Sequence, residues 1–194
     1  MDLVIASSNE DKIKEIKEIL KNRDINYISL KELNNKIDID ENGKSYKENA
    51  YIKAKTIYDI YKLPTLADDS GLEVDALNGA PGINSHRYSK DSTYKSNNEK
   101  LLHELEGVTN RKACFKCVSC LIIDGKVFYS EGTLEGFISK KASGTNGFGY
   151  DPYFMIDDNH SLADITDEKK NQISHRAKSL EGIGKILDEF LNSI

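Results

Sequence analysis

This chain of 194 residues has little proline, little cysteine and no long apolar run. Three prolines leave no material for a proline-rich linker, and no repeat or low-complexity segment interrupts the sequence. No apolar stretch approaches the roughly 18 residues of a membrane span. The opening MDLVIASSNEDK has neither the basic start nor the apolar length of a secretory signal, so the expected location is the cytoplasm. A basic excess is missing too: 27 Lys+Arg against 32 Asp+Glu give a net charge of −5. A nucleic-acid polymer wants a basic face, so the expected partner is a small molecule, anionic if a local pocket is basic. Composition (38% hydrophobic, 30% charged) and length fit one globular domain over residues 1–194, with room for two lobes.

The few cysteines are suggestively placed. CFKCVSC sets Cys114, Cys117 and Cys120 three apart, a spacing shared with cluster ligands. The surrounding residues 111–139 read instead as two strands about Asp124-Gly125, a hairpin turn signal. On a strand Cys114 and Cys120 face one way and Cys117 the other, so the three cannot converge on one metal. There is no fourth cysteine. Reduced, half-buried strand residues are expected.

What the chain does have is a regular alternation of elements. Residues 2–7 form a short apolar run, read as a buried strand, followed by a helix over about 9–22 and a strand at 25–30. A second helix is expected over 44–62, a strand ending in a polar turn at 64–71, and a turn-rich connection through GLEVDALNGAPG. A third helix at 93–106 precedes the hairpin, and a short strand lies near 153–156. Helical periodicity returns at 166–172 and 174–193. Strands and helices mixed in this way, with an internal hairpin, predict an α/β fold with a mixed sheet.

Four polar clusters fall between these elements. Ser7, Ser8, Asn9, Glu10, Asp11 and Lys12 sit at the start of the first helix, where backbone amides attract anions; the same residues also suit an ordinary N-cap. Asp68 and Asp69 close an apolar strand, a common ligand position in α/β folds. Alternation sends them to opposite faces, so one can hold a metal or activate water while the other anchors the turn; a plain Asx-turn is the competing reading. Asp40 and Glu41 precede the second helix and could add a carboxylate for Mg²⁺, which needs only one or two from the protein when phosphates and waters supply the rest. His175 and Arg176 stand in the first turn of the last helix, where the dipole disfavours cations. A glycine-rich stretch, SGTNGFGYDPYF, raises a further question: whether it cradles a phosphate or something flatter.

Taken in order, SSNEDK, ENGKSYKENA, LADDSGLEVDALNGAPGINSHRYS, GTNGFGYDPYF and KNQISHRAK resemble the motifs of the inosine/xanthosine triphosphate pyrophosphatase family, over essentially the whole chain. The family's first motif is met by Ser7, Asn9 and Lys12, whereas Asn146 stands where the family often has glycine. The resemblance implies Mg²⁺-dependent cleavage of ITP, dITP and XTP to monophosphate and pyrophosphate by a homodimer. It implies an elongated mixed β-sheet flanked by helices in two lobes, with a central substrate cleft. Carried over, Ser7 to Lys12 hold the triphosphate and Asp69 is general base and metal ligand, with Ser70 beside the substrate. Glu41 or Asp40 is the second metal group. Phe148, Gly149, Tyr150, Asp151, Lys170, His175 and Arg176 line the nucleoside pocket, and the roles of Asn49 and Arg87 stay open. On this reading the glycine loop holds a base and sugar, with Phe148 and Tyr150 as flat faces, and the donors of Arg176 and His175 read purine carbonyls. A Maf-type nucleotide pyrophosphatase and a non-catalytic nucleotide sensor are the alternatives. The GFGYDP and ISHR motifs weigh against the first, and the intact Asp69 against the second.

Overall fold

The unbroken apolar run LVIA gives the first strand an apolar side chain on both faces and places it between two cores. β1 (Asp2–Ile5) sends Leu3 and Ile5 to one face and Val4, followed by Ala6, to the other, all fully buried. It pairs in parallel with β2 (Asn26–Ser29) and with β3 (Thr65–Val74). With β4 (Lys112–Ile123), β5 (Lys126–Ile138) and β6 (Phe154–Met155) these strands form a sheet in the order β2-β1-β3-β4-β5-β6. β6 runs antiparallel to β5, so the sheet is mixed, as the alternation of elements predicts. The structure, a computed structural model, describes residues 1–33 and 37–193. Among these no helix is long and apolar enough to cross a membrane.

The helices are α1 (Glu10–Ile19), α2 (Tyr46–Tyr61), α3 (Tyr94–Glu104), α4 (Asp167–Ile173) and α5 (His175–Leu191). Asn9, Ser45, Thr93 and Thr166 each accept a first-turn amide through the side chain, satisfying a donor that the helix itself cannot. Their positions agree with the sequence expectation to within a few residues at each end.

The chain divides into two compact units. The first comprises Met1–Asp69, Cys117–Gly132 and the residues from Arg176 onward; the second comprises Ser70–Lys116 and Thr133–His175. The first has a core on each sheet face. Ile16 and Leu20 of α1, with Leu180, Ile183 and Leu187 of α5, pack on Leu3, Ile5, Leu66, Leu121 and Ile123. On the other face Ala50, Ala54 and Ile57 of α2 pack on Val4, Ala6, Ala67, Cys120 and Ile122. The second unit buries Leu72, Val74, Leu101, Leu105, Phe115, Phe154 and Leu162 together.

Two expectations change. The polar turn predicted at Asp68-Asp69-Ser70 is absent; β3 continues straight through it to Val74. Leu72 and Val74 alternate into the second core, both fully buried, and that burial keeps the chain extended where the polar residues suggest a turn. β1 is paired with β3 only as far as Ile5↔Leu66, so the two aspartates lie just past the end of β1, where the chain turns off toward α1. The cysteines are free, and Cys117 and Cys120 are fully buried rather than half-buried. Among the described residues no group of three His, Cys, Asp or Glu could by itself hold a metal ion. The turn at Asp124 and Gly125, with φ of 49° and 73°, has both central residues left-handed, as a two-residue hairpin requires.

Candidate active site

In the first unit, strand alternation distributes the charged residues. Asp68 shares a face with Leu66 and points toward α1 and α5, whereas Asp69 shares a face with Ala67 and points toward α2. Asp68 is 1% exposed; its Oδ2 accepts from Arg176 Nε at 3.2 Å and lies 3.5 Å from Lys12 Nζ. Burial opposes its charge, but Lys12, Arg176 and Lys53 outweigh that and hold its carboxyl well below the usual aspartate range. Arg176 Nη1 also binds Glu15 of α1, so one buried guanidinium joins two carboxylates.

Asp69 has a different setting. Its Oδ2 accepts from Asn49 Nδ2 at 3.0 Å, and Asn49 Oδ1 in turn accepts from the Gly43 amide at 2.8 Å. A Cβ on Gly43 would lie 2.6 Å from Asn49 Oδ1, so this approach requires glycine. Lys53, one turn along α2, is buried and reaches Glu41 at 2.6 Å. Burial pushes the Asp69 carboxyl above the usual range; Lys53, Lys12 and the Asn49 hydrogen bond pull the other way, and the charge of Glu41 adds to the rise. For Lys53, burial favours deprotonation, but Asp68, Asp69 and Glu41 prevail and raise its pKa.

This placement separates the two acids left open before. Glu41 faces Lys53 and Asp69, while Asp40 is exposed and accepts from the Asn42 side chain. Asn9 is the N-cap of α1, accepting from the Lys12 amide at 3.1 Å. Its own amide donates to Ser7 Oγ at 3.2 Å. Ser8, Glu10 and Asp11 are exposed, and Glu10 pairs with Lys31. Ser70 is half-buried at the first residue of the second unit.

In the second unit the glycine loop is held by a buried ion pair. Asp151 Oδ2 accepts from Lys170 Nζ at 2.6 Å and from the Phe148 amide at 3.0 Å. Lys170 Nζ also lies 4.5 Å from the Phe148 ring centroid. Gly147 has a φ of 70°, and a Cβ there would lie 2.2 Å from Asp151 Oδ2. His175 stacks on Phe115 with centroids 4.7 Å apart. Asn146 ties the loop to Ile165 O through its side chain and does not adopt positive φ, so this position has no need of glycine.

Two residues of the expected nucleoside pocket are largely buried here. Tyr150 packs in the second core, with its hydroxyl donating to Ser85 O at 2.6 Å. Only Phe148 of the two rings is half-exposed. Two of the three guanidinium nitrogens of Arg176 pair with Asp68 and Glu15, and its side chain is 2% exposed. Arg87 is exposed and donates to Asn84. Sequence reasoning missed Glu15 and Lys53. The signal for Lys53 was a lysine on the Ala50, Ala54, Ile57 face of α2, one turn from Asn49; Glu15 carried no comparable signal.

The hard oxygen donors of the first unit suit a magnesium-like ion. Among the described residues four carboxylates (Glu15, Glu41, Asp68, Asp69) meet three cations (Lys12, Lys53, Arg176). Asp69 and Glu41 lie close enough for the charge of Glu41 to raise the Asp69 pKa, a pair of oxygen donors that a cation would suit. Two carboxylates are too few for a protein-only cage and enough for an ion that takes its other ligands from phosphate and water.

A two-unit α/β protein with a mixed sheet, a charged carboxylate site on β3 and a glycine loop closed by an acid–lysine pair defines a class, and comparison with known proteins names the family. The model of the Ham1 family matches residues 3–186, and the chain belongs to that family. It is 47% identical over 189 residues to the dITP/XTP pyrophosphatase of Clostridium perfringens, covering 92% of this chain and 93% of that protein. The dITP/XTP pyrophosphatase of Bacillus subtilis is 39% identical over 192 residues, with 96% and 97% covered. The Ham1 protein structure from Coxiella burnetii superposes with a TM-score of 0.88 at 38% identity, covering 97% of this chain and 99% of that one.

Proposed function

We propose that this protein hydrolyses non-canonical purine nucleoside triphosphates, of the ITP, dITP and XTP type, to the monophosphate and pyrophosphate, and so cleanses the nucleotide pool. Membership of the Ham1 family and the names of its near relatives support a nucleoside triphosphate hydrolase. The observation that carries the chemistry is the Asp69 carboxylate. It is buried, held by Asn49, and set among Lys53, Lys12 and Glu41. A carboxylate with raised basicity can take a proton from an attacking water while neighbouring cations stabilise phosphate charge.

In this reading Lys12 and Lys53 bind phosphate oxygens, exchanging part of their contact with Asp68 and Glu41 for the substrate. Ser7, Ser8 and the first-turn amides of α1 add hydrogen bonds. Asp69 and Glu41 would hold Mg²⁺, which when bound supplies charge neutralisation at the transferring phosphorus. Asp69 orients the water and accepts its proton as the α–β anhydride bond breaks. Asn49 fixes the carboxylate, and Asp68 with Arg176 keeps Lys12 in place. The half-exposed Phe148 ring, braced by Lys170 and the Phe148–Asp151 backbone, is the flat surface for the base, and His175 lines the same end. A homodimer in the cytoplasm completes the reading. The test is product analysis: ITP with Mg²⁺ should yield IMP and pyrophosphate, and IDP with orthophosphate as first products would overturn it. EDTA should abolish turnover.

A further inference from the structure

The first turn of α3 is fixed by a reciprocal cap. Thr93 Oγ1 accepts from the Ser96 amide, and Ser96 Oγ accepts from the Thr93 amide. Asn98 lies one turn in, buried to 8% exposure. Its Nδ2 donates twice, to Tyr94 O at 3.0 Å and to Gly149 O at 2.9 Å, the second acceptor lying 51 residues along the chain. Its Oδ1 is buried with no hydrogen-bond partner among the described residues. The two carbonyls set the amide's orientation, because exchanging O and N would turn an acceptor on two acceptors. Burying an unmatched acceptor is a cost, and the two donations are what this side chain supplies against it.

Gly149 is where the donation has an effect. Its φ is 62°, and a Cβ built there would meet nothing within 4 Å, so side-chain packing does not hold this peptide. Phe148, just before it, is held through its amide by Asp151 and at its ring by Lys170. The Tyr94 ring lies 5.9 Å from it, tilted by 36°. Tyr94 therefore contributes both the ring beside Phe148 and one of the carbonyls that Asn98 holds.

We propose that Asn98 is a positioning residue for the nucleoside end of the site. Through the Gly149 carbonyl and Tyr94 it sets where the Phe148 ring and the adjoining loop backbone meet a purine, without touching substrate itself. This rests on reading the Phe148–Asp151 loop as the nucleoside surface. Titration calorimetry with IMP and, separately, with pyrophosphate tests it, each in magnesium chloride. Asn98→Ala should weaken IMP about tenfold and leave pyrophosphate within about twofold. Asn98→Ser, which keeps one donor, should fall between. In steady state KM for ITP should rise by more than kcat falls, a split that general loosening of the fold does not produce. If Asn98→Ala fails to fold, Asn98→Ser carries the comparison and must still weaken IMP selectively. Equal weakening of both ligands, or unchanged IMP affinity, overturns the inference. Wild-type protein that binds pyrophosphate but not IMP would instead overturn the nucleoside reading, and this inference with it.

Discussion

Asp68 and Asp69 are adjacent in the chain, yet Asp68 accepts from Arg176 at 3.2 Å and Asp69 from Asn49 at 3.0 Å, on opposite faces of β3. The first is a carboxylate held in its charged form, the second a carboxylate whose charge is disfavoured. Their substitutions should therefore act in opposite senses on stability. The folded pKa of Asp68 is depressed, so its contribution is present above the ordinary value near 3.8 and lost as pH falls through the folded value. Asp68→Asn should cost roughly 3 kcal/mol at neutral pH, the scale for breaking a buried ion pair. The folded pKa of Asp69 is raised, so its ionised form opposes folding at neutral pH, and Asp69→Asn should raise the melting temperature. The same substitution should lower turnover at least ~10²-fold. Urea melts and steady-state rates on both variants check this; equal stability losses would contradict it.

Activity should follow Asp69 ionisation. Its raised pKa moves the acid limb of the kcat/KM profile above the ordinary aspartate position, with activity rising as pH increases through that value. Asn49→Ala removes a hydrogen bond that favours the charged form, so the limb should move further upward. A pH–rate series on the two proteins measures the shift, and a downward movement would rule out this assignment of the limb.

Glu15 and Arg176 should be energetically coupled. Arg176→Met leaves Glu15 and Asp68 buried without their shared cation, with an expected cost of roughly 3–5 kcal/mol. Adding Glu15→Gln should recover part of that loss. A double-mutant cycle by chemical denaturation reads the coupling directly, and strict additivity would mean that the ion pair is absent in solution.

The two rings of the glycine loop should part company. Phe148→Ala should raise KM for ITP with little change in melting temperature, because the ring is half-exposed. Tyr150→Phe should cost about 1 kcal/mol of stability through the lost bond to Ser85 O and leave KM nearly unchanged. The opposite pattern would return Tyr150 to the ligand surface.

Thiol reactivity should single out one cysteine. Burial pushes Cys117 and Cys120 up to about 12, and both side chains are fully buried. Cys114 is half-buried, so a native protein should titrate at most one thiol with a disulfide reagent, and Cys114→Ser should titrate none. Denatured protein should show all three.

Much of this protein was legible from local pattern. Alternation in CFKCVSC assigned strand faces, and it separated Asp68 from Asp69, because side-chain direction on a strand depends on nothing beyond the chain itself. Helical periodicity located the helices for the same reason. Which helix each aspartate meets could not be read this way, since Arg176 lies 108 residues from Asp68 and Asn49 lies 20 from Asp69. The turn expected at Asp68-Asp69-Ser70 failed because Leu72 and Val74 gain more from the second core than the polar residues gain from turning. The chemistry of Tyr150 and Arg176 permits a ligand role, but their burial and their partners Ser85 and Glu15 come from distant segments and could not be read locally. A residue's chemistry and its face belong to the local chain, whereas its partner and its burial depend on which segments long-range packing brings beside it.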